Sequence, residues 1–203
     1  MPNKHAGFIR TTIFIMRLHK RHNQMKTYIA LFRAINIGGK NILTMKALIA
    51  ILENLGALKV KTYIQSGNAL FQTSERNLSE FKSKLISHIK LQHGFEPQIM
   101  MVARETIEKV ILESPYPEAE TDPSSLHLGF LATPPSHPQL AELNALKKES
   151  ERFHLSPSVF YLHTPEGIGR SKLAAKAEKL LGVAMTYRNW KTVCKIREMA
   201  DEG

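Results

Sequence analysis

The chain has 203 residues, 43% of them apolar and 23% charged, enough to bury one generous core or two smaller ones that share it, so neither metals nor disulfides are required for folding. A single cysteine, Cys194, excludes an internal disulfide, and no Cys/His spacing matches a structural zinc site; a reducing, cytoplasmic setting with no metal and no cofactor is expected. No apolar run nears the roughly 18 residues that cross a bilayer, so no membrane partner is expected.

The formal charge is +10, and half of it lies in residues 1–24, where Lys4, Arg10, Arg17, Lys20 and Arg21 have no acid among them. The segment lacks the long apolar stretch of a secretory signal, since only Ile13, Phe14, Ile15 and Met16 separate Arg10 from Arg17. It reads as an extension upstream of an initiator at Met25, with an organelle transit peptide as the alternative. Either way it is expected to lie outside the fold.

From Lys26 to Ile35 the sequence is nearly all apolar and β-rich, the pattern of a central strand. Met45, Leu48, Ile49, Leu52 and Leu55 then recur at helical spacing, and Gly56 stands where a helix ends. Residues 60–65 and 68–72 read as strands joined by a tight turn at Ser66 and Gly67. Leu78, Phe81, Leu85 and Ile89 mark a second helix, and residues 98–102 a further strand. The order βαββαβ predicts an α+β fold: a ferredoxin-like first half (25–112), two helices on a four-stranded antiparallel sheet, closed by a short helix over 105–112.

Residues 113–125 hold three prolines and four acids and predict a connector without regular structure. Beyond it, strands at 126–131, 152–155, 159–162 and 184–187 alternate with helices around Leu140 and Leu143, from Ser171 to Leu181, and from about Asn189. This order predicts a second, degenerate α+β half over 126–203, although no sequence self-similarity accompanies it.

In a βαββαβ unit the loop after the first strand and the turn between the second and third share one edge. That edge would gather Arg33, Asn36, Gly38, Gly39 and Lys40 with Gln65, Ser66, Gly67 and Asn68. Paired glycines turn N–H groups outward, and Lys40 precedes a helix start near Thr44, so the edge suits an anion; a plain turn is the alternative. In the second half the same tracing groups Arg170, Ser171 and Lys172 with Arg188, Asn189, Trp190 and Lys191. Lys172, Lys176 and Lys179 form one stripe at helical spacing, and Arg188, Lys191 and Lys195 a second. Eight bases and one acid, Glu178, fall between Arg170 and Arg197. A solvated helical face is the plainer reading of the stripes, and a core position the plainer reading of Trp190.

The segments TYIALFRAINIGGKN, MKALIAILENLGALKVKTYIQSGNALF, GIGRSKL and LGVAMTYRNWKTVCKI resemble the mostly bacterial family catalogued as domain of unknown function 1697 (DUF1697), over about residues 25–200. The resemblance implies a cytosolic protein with a ferredoxin-like first part and Met25 as initiator, and it carries no reaction, cofactor or catalytic residue. The family's motif positions here are Arg33, Asn36, Gly38, Gly39, Lys40, Gln65, Ser66, Gly67, Asn68, Ser171, Lys172, Arg188, Asn189 and Trp190; residues 1–24 depart from the pattern.

Three functions remain open, with or without turnover. The first is binding of a small anionic, phosphorylated or nucleotide-like metabolite in a cleft between the halves. Arg33, Lys40, Lys172 and Arg188 would meet its charge, and Asn36, Gln65, Asn68 and Asn189 would orient it. The second is nucleic-acid binding through the basic helices of residues 170–197. Asn68, Leu70 and Gln72 stand where an RNA-reading sheet needs aromatics, so phosphate contacts alone would serve it. The third is a structural, self-associating protein. Ser66 lacks the flanking glycine of a nucleophile elbow, and Cys194 has the spacing of a core residue.

Overall fold

The computed structural model describes residues 25–65 and 67–202. The expected extension at 1–24, and Ser66, lie outside the described residues. Element order is β1 (Lys26–Arg33), α1 (Met45–Asn54), β2 (Leu58–Tyr63), β3 (Asn68–Thr73), α2 (Leu78–His93), β4 (Gln98–Ala103) and α3 (Arg104–Leu112). There follow β5 (Leu126–Leu131), α4 (Leu140–Leu146), β6 (Arg152–Leu155), β7 (Val159–His163), α5 (Lys172–Leu181), β8 (Met185–Asn189) and α6 (Trp190–Asp201).

Local chemistry sets the helix ends. The side chains of Thr44, Asn77, Ser171 and Asn189 accept hydrogen bonds from Ala47 N, Glu80 N, Ala174 N and Lys191 N, satisfying donors that a helix start leaves free. Gly94 and Gly182 close α2 and α5 in the left-handed conformation. The connector departs from the expectation of no regular structure: Pro117–Glu120 forms a short 3₁₀ turn, seeded by proline in its first turn. Tyr116 before it and Ala119 within it are buried, which anchors it.

The first sheet has strand order β2-β3-β1-β4 and the second β6-β7-β5-β8, all pairs antiparallel. The second order maps onto the first strand for strand, and a terminal helix follows β4 and β8 alike. Strand alternation splits each sheet between two cores. Tyr28, Ala30 and Phe32 of β1 face α1 and α2, while Phe160 and Leu162 of β7 face α4 and α5. The opposite faces meet in one shared cluster, where Ile29, Leu31, Leu70 and Val102 join Leu128, Phe130, Val159 and Tyr161.

The terminal helices close that cluster by crossing over. Helix α6 packs against β3 of the first half as well as β5 and β8, and α3 packs on α6. Tyr161 Oη of the second half donates to Val110 O on α3 at 2.9 Å, and Lys61 Nζ of the first donates to Met199 O on α6 at 3.3 Å. Arg104 and Asp201 bridge the two helices at 2.7 Å. Both sheet faces that an RNA-reading unit would expose are therefore consumed by each other. No described helix is long and apolar enough to cross a membrane.

Candidate functional site

The loop after β1 and the β2–β3 turn lie side by side. Phe32 N donates to Gly67 O at 2.8 Å, and Asn36 ties the two together. With φ at +55°, Asn36 donates from Nδ2 to Leu43 O (2.8 Å) and Gln65 O (3.0 Å), and its Oδ1 accepts from Leu43 N (2.8 Å). Both amide protons are thus spent on holding the loop to the turn. Gly38 and Gly39 sit at the middle of a tight turn with φ of +56° and +74°, closed by Lys40 N donating to Ile37 O at 3.0 Å. Two consecutive positive φ values explain the glycine pair, and a turn is what it makes.

At Gly67 the requirement is steric as well. Its φ is +75°, and a Cβ there would come within 2.6 Å of both Ile35 Cδ1 and Phe32 Cβ. Its carbonyl is thereby held against the second half, where Arg188 arrives on β8.

Arg188 is buried and uses all five of its N–H donors. Nε donates to Asn68 Oδ1 (2.5 Å), Nη1 to Thr186 Oγ1 (3.1 Å) and Tyr187 O (2.8 Å), and Nη2 to Phe32 O (2.6 Å) and Gly67 O (3.2 Å). Every acceptor is neutral; no described carboxylate pairs with it, and burial pulls its pKa down to about 10. Three of the five bonds cross to the first half, making Arg188 the bolt between the halves.

Beside that bolt a crevice of about 490 Å³ opens between the halves. Arg33, Asn36 and Gln65 line it from the first half, and Glu178, Thr186, Tyr187 and Arg188 from the second. Arg33 Nη1 donates to Glu178 Oε1 at 2.7 Å and to Met185 O at 3.2 Å. Ala174 and Ala175 of α5 let the loop approach closely, and Ile37 stands exposed beside them. The Tyr187 hydroxyl is buried with no hydrogen-bond partner among the described residues, and burial raises its pKa well above the usual tyrosine range.

The crevice gathers only part of the expected set. Arg33, Asn36, Gln65 and Arg188 line it, and Gly67 and Asn68 stand behind Arg188 as its acceptors. Gly38, Gly39 and Lys40 lie on the exposed turn that Lys40 N closes on Ile37 O, outside its lining. Arg170 and Lys172 are exposed and also outside it, and Ser171 is buried as the cap of α5. Asn189 caps α6, and its Nδ2 donates to Ser124 O at 3.0 Å, so it belongs to the connector. Trp190 is buried in the shared core and Lys191 is exposed. Of the four amides expected to orient a ligand, only Gln65 has a side chain without a hydrogen bond among the described residues.

The second basic stripe needs correction. Arg188 belongs to β8 and points into the protein, because helix α6 starts only at Trp190, and Lys195 is paired with Glu198 at 2.6 Å. The stripe of Lys172, Lys176 and Lys179 on α5 is exposed as expected. Sequence reasoning missed Glu178, Thr186 and Tyr187 as lining residues. The one acid in a run of bases was the available signal for Glu178; nothing local marked the other two.

A family model described as "Protein of unknown function (DUF1697)" matches residues 25–161. The chain belongs to this family. Among solved structures it is similar to a conserved bacterial protein from Streptococcus pneumoniae, at 25% identity and a TM-score of 0.66, over 87% of this chain and 99% of that one. No curated protein matches this DUF1697 member.

Proposed function

We propose that this chain pairs two ferredoxin-like units whose crevice binds a small anionic metabolite, with a phosphate or carboxylate group at Arg33. The observation that carries this reading is the charge of Arg188. Its hydrogen bonds are complete, yet its positive charge sits in the crevice wall with no described carboxylate to balance it. A bound anion supplies that balance through the field of the site without displacing a single Arg188 hydrogen bond.

Arg33 is the exchangeable contact. Its pair with Glu178 is partly exposed, with side-chain exposures of 42% and 36%, and such pairs contribute at most about 1 kcal/mol, so an incoming anion can take Glu178's place. The amide of Gln65 offers a neutral donor beside it.

Titration calorimetry with inorganic phosphate and with a panel of nucleoside monophosphates tests this. Arg33→Ala is expected to weaken binding about tenfold or more. Glu178→Gln is expected to tighten it, because the internal competitor loses its charge. Equal affinity in the parent and both variants, or no binding, overturns the reading.

A further inference from the structure

A second and larger crevice, of about 620 Å³, lies on the other side of the Arg33–Met185 contact. It runs between edge strand β4 and the near ends of β5 and β8, and it shares Arg33, Met185 and Thr186 with the anion crevice. Its volume is in the range of small-molecule sites, roughly 300–1,000 Å³. None of its lining residues is acidic. Its only charged groups are Arg33 and Lys82, and the remainder is dominated by apolar side chains such as Ile86, Phe130 and the unbranched, adaptable Met100, Met101 and Met185.

We infer that the two crevices form one bipartite site for an anionic amphiphile, its head at Arg33 and its linear apolar chain along the β4 edge. This rests on the anion reading above and narrows it to a ligand class. Charge complementarity selects that class. The larger crevice pairs an apolar trough with two cations and no carboxylate, and Glu178, the one acid lining the smaller crevice, is already paired with Arg33, which disfavours a cationic ligand, while a nucleotide or sugar phosphate would leave the trough unfilled. Arg33, Met185 and Thr186 border both crevices, so an anionic head held by Arg33 stands at the wall of the trough that takes the chain. Each methylene moved from water into such a trough contributes up to about fourfold in affinity.

The test measures dissociation constants for butanoate, hexanoate, octanoate and decanoate, with inorganic phosphate and decyltrimethylammonium as controls. The proteins are the parent chain, Arg33→Ala, and two variants that fill the trough from exposed positions, Ala184→Trp and Ala132→Trp. Affinity is expected to rise at least tenfold from hexanoate to decanoate, and either tryptophan should remove that rise while leaving phosphate affinity unchanged. Arg33→Ala should weaken all anions by a common factor. Phosphate binding without chain-length dependence overturns the amphiphile and leaves the anion reading standing. Carboxylate affinities that Arg33→Ala leaves unchanged, or decyltrimethylammonium binding as tightly as decanoate, remove the anionic head and overturn the amphiphile; the anion reading then stands if Arg33→Ala still weakens phosphate and falls with it if phosphate is also unaffected. Absence of all binding also overturns both.

Discussion

Arg188 fastens the two halves through one buried guanidinium: strand alternation on β8 sends it inward, where the carbonyls of residues 32 and 67 and the Asn68 amide oxygen accept its hydrogen bonds. Those three acceptors come from two separate segments of the first half, and nothing in the local sequence announces them. Replacing Arg188 by alanine strands buried acceptors on both sides of the boundary. A loss of about 2–4 kcal/mol is expected in denaturant unfolding. A loss below about 0.5 kcal/mol would show that the bolt holds nothing. The glycine pair ran the other way: the turn reading was legible because two successive positive φ values have a chemical signature, whereas which way the turn points does not.

At the level of elements, helix and strand positions followed their periodicity closely, with β1 stopping two residues before Ile35, β2 lying two residues earlier at both ends and β8 ending two residues later than expected. The connector was the exception, since its prolines masked the buried Tyr116. Tyr116 stacks on His163 of β7 with ring centroids 5.8 Å apart, and the Arg152 guanidinium lies over the Tyr116 ring and 3.4 Å from His163 Nδ1. Burial first, and then Arg152, lower the His163 pKa from its ordinary 6.5, against an opposing pull from Asp122; burial also lowers that of His127. The unfolded chain therefore takes up protons at these histidines before the folded one does, so stability is complete above about pH 6.5 and falls as pH drops through the lowered values. The carboxylates with shifted pKa values, Glu80, Asp122, Glu166 and Glu198, are displaced below their ordinary values and titrate at lower pH still. Melting temperature is expected to decline between pH 7 and 5, and more shallowly in His163→Phe, which keeps the ring stack. An unchanged slope would place the pH dependence elsewhere.

For the molecule as a whole, the repeat of strand order was legible, whereas its consequence was not. Two units of this kind can sit side by side, each with one face in water; here the free faces are spent on each other, and the terminal helices reach across. Alternation of apolar residues on β1, β5 and β7 shows that both faces are covered, but the identity of the cover is long-range information. Because Ile29, Leu31, Leu128 and Tyr161 share one cluster, residues 25–203 are expected to unfold in a single calorimetric transition, with agreement between calorimetric and van't Hoff enthalpies. Two resolved transitions would mean that the halves are energetically separate. Both sheet faces are buried, so the proposed site lies at the boundary between the halves, and Arg33 lines both of the crevices that carry it. The most direct test of that claim is arginine Nε–Hε NMR during titration with inorganic phosphate. The account predicts saturable shifts at Arg33, with a smaller shift at a slowly exchanging Arg188. Linear, unsaturated shifts confined to Lys172, Lys176 and Lys179, with Arg33 unmoved, would contradict it.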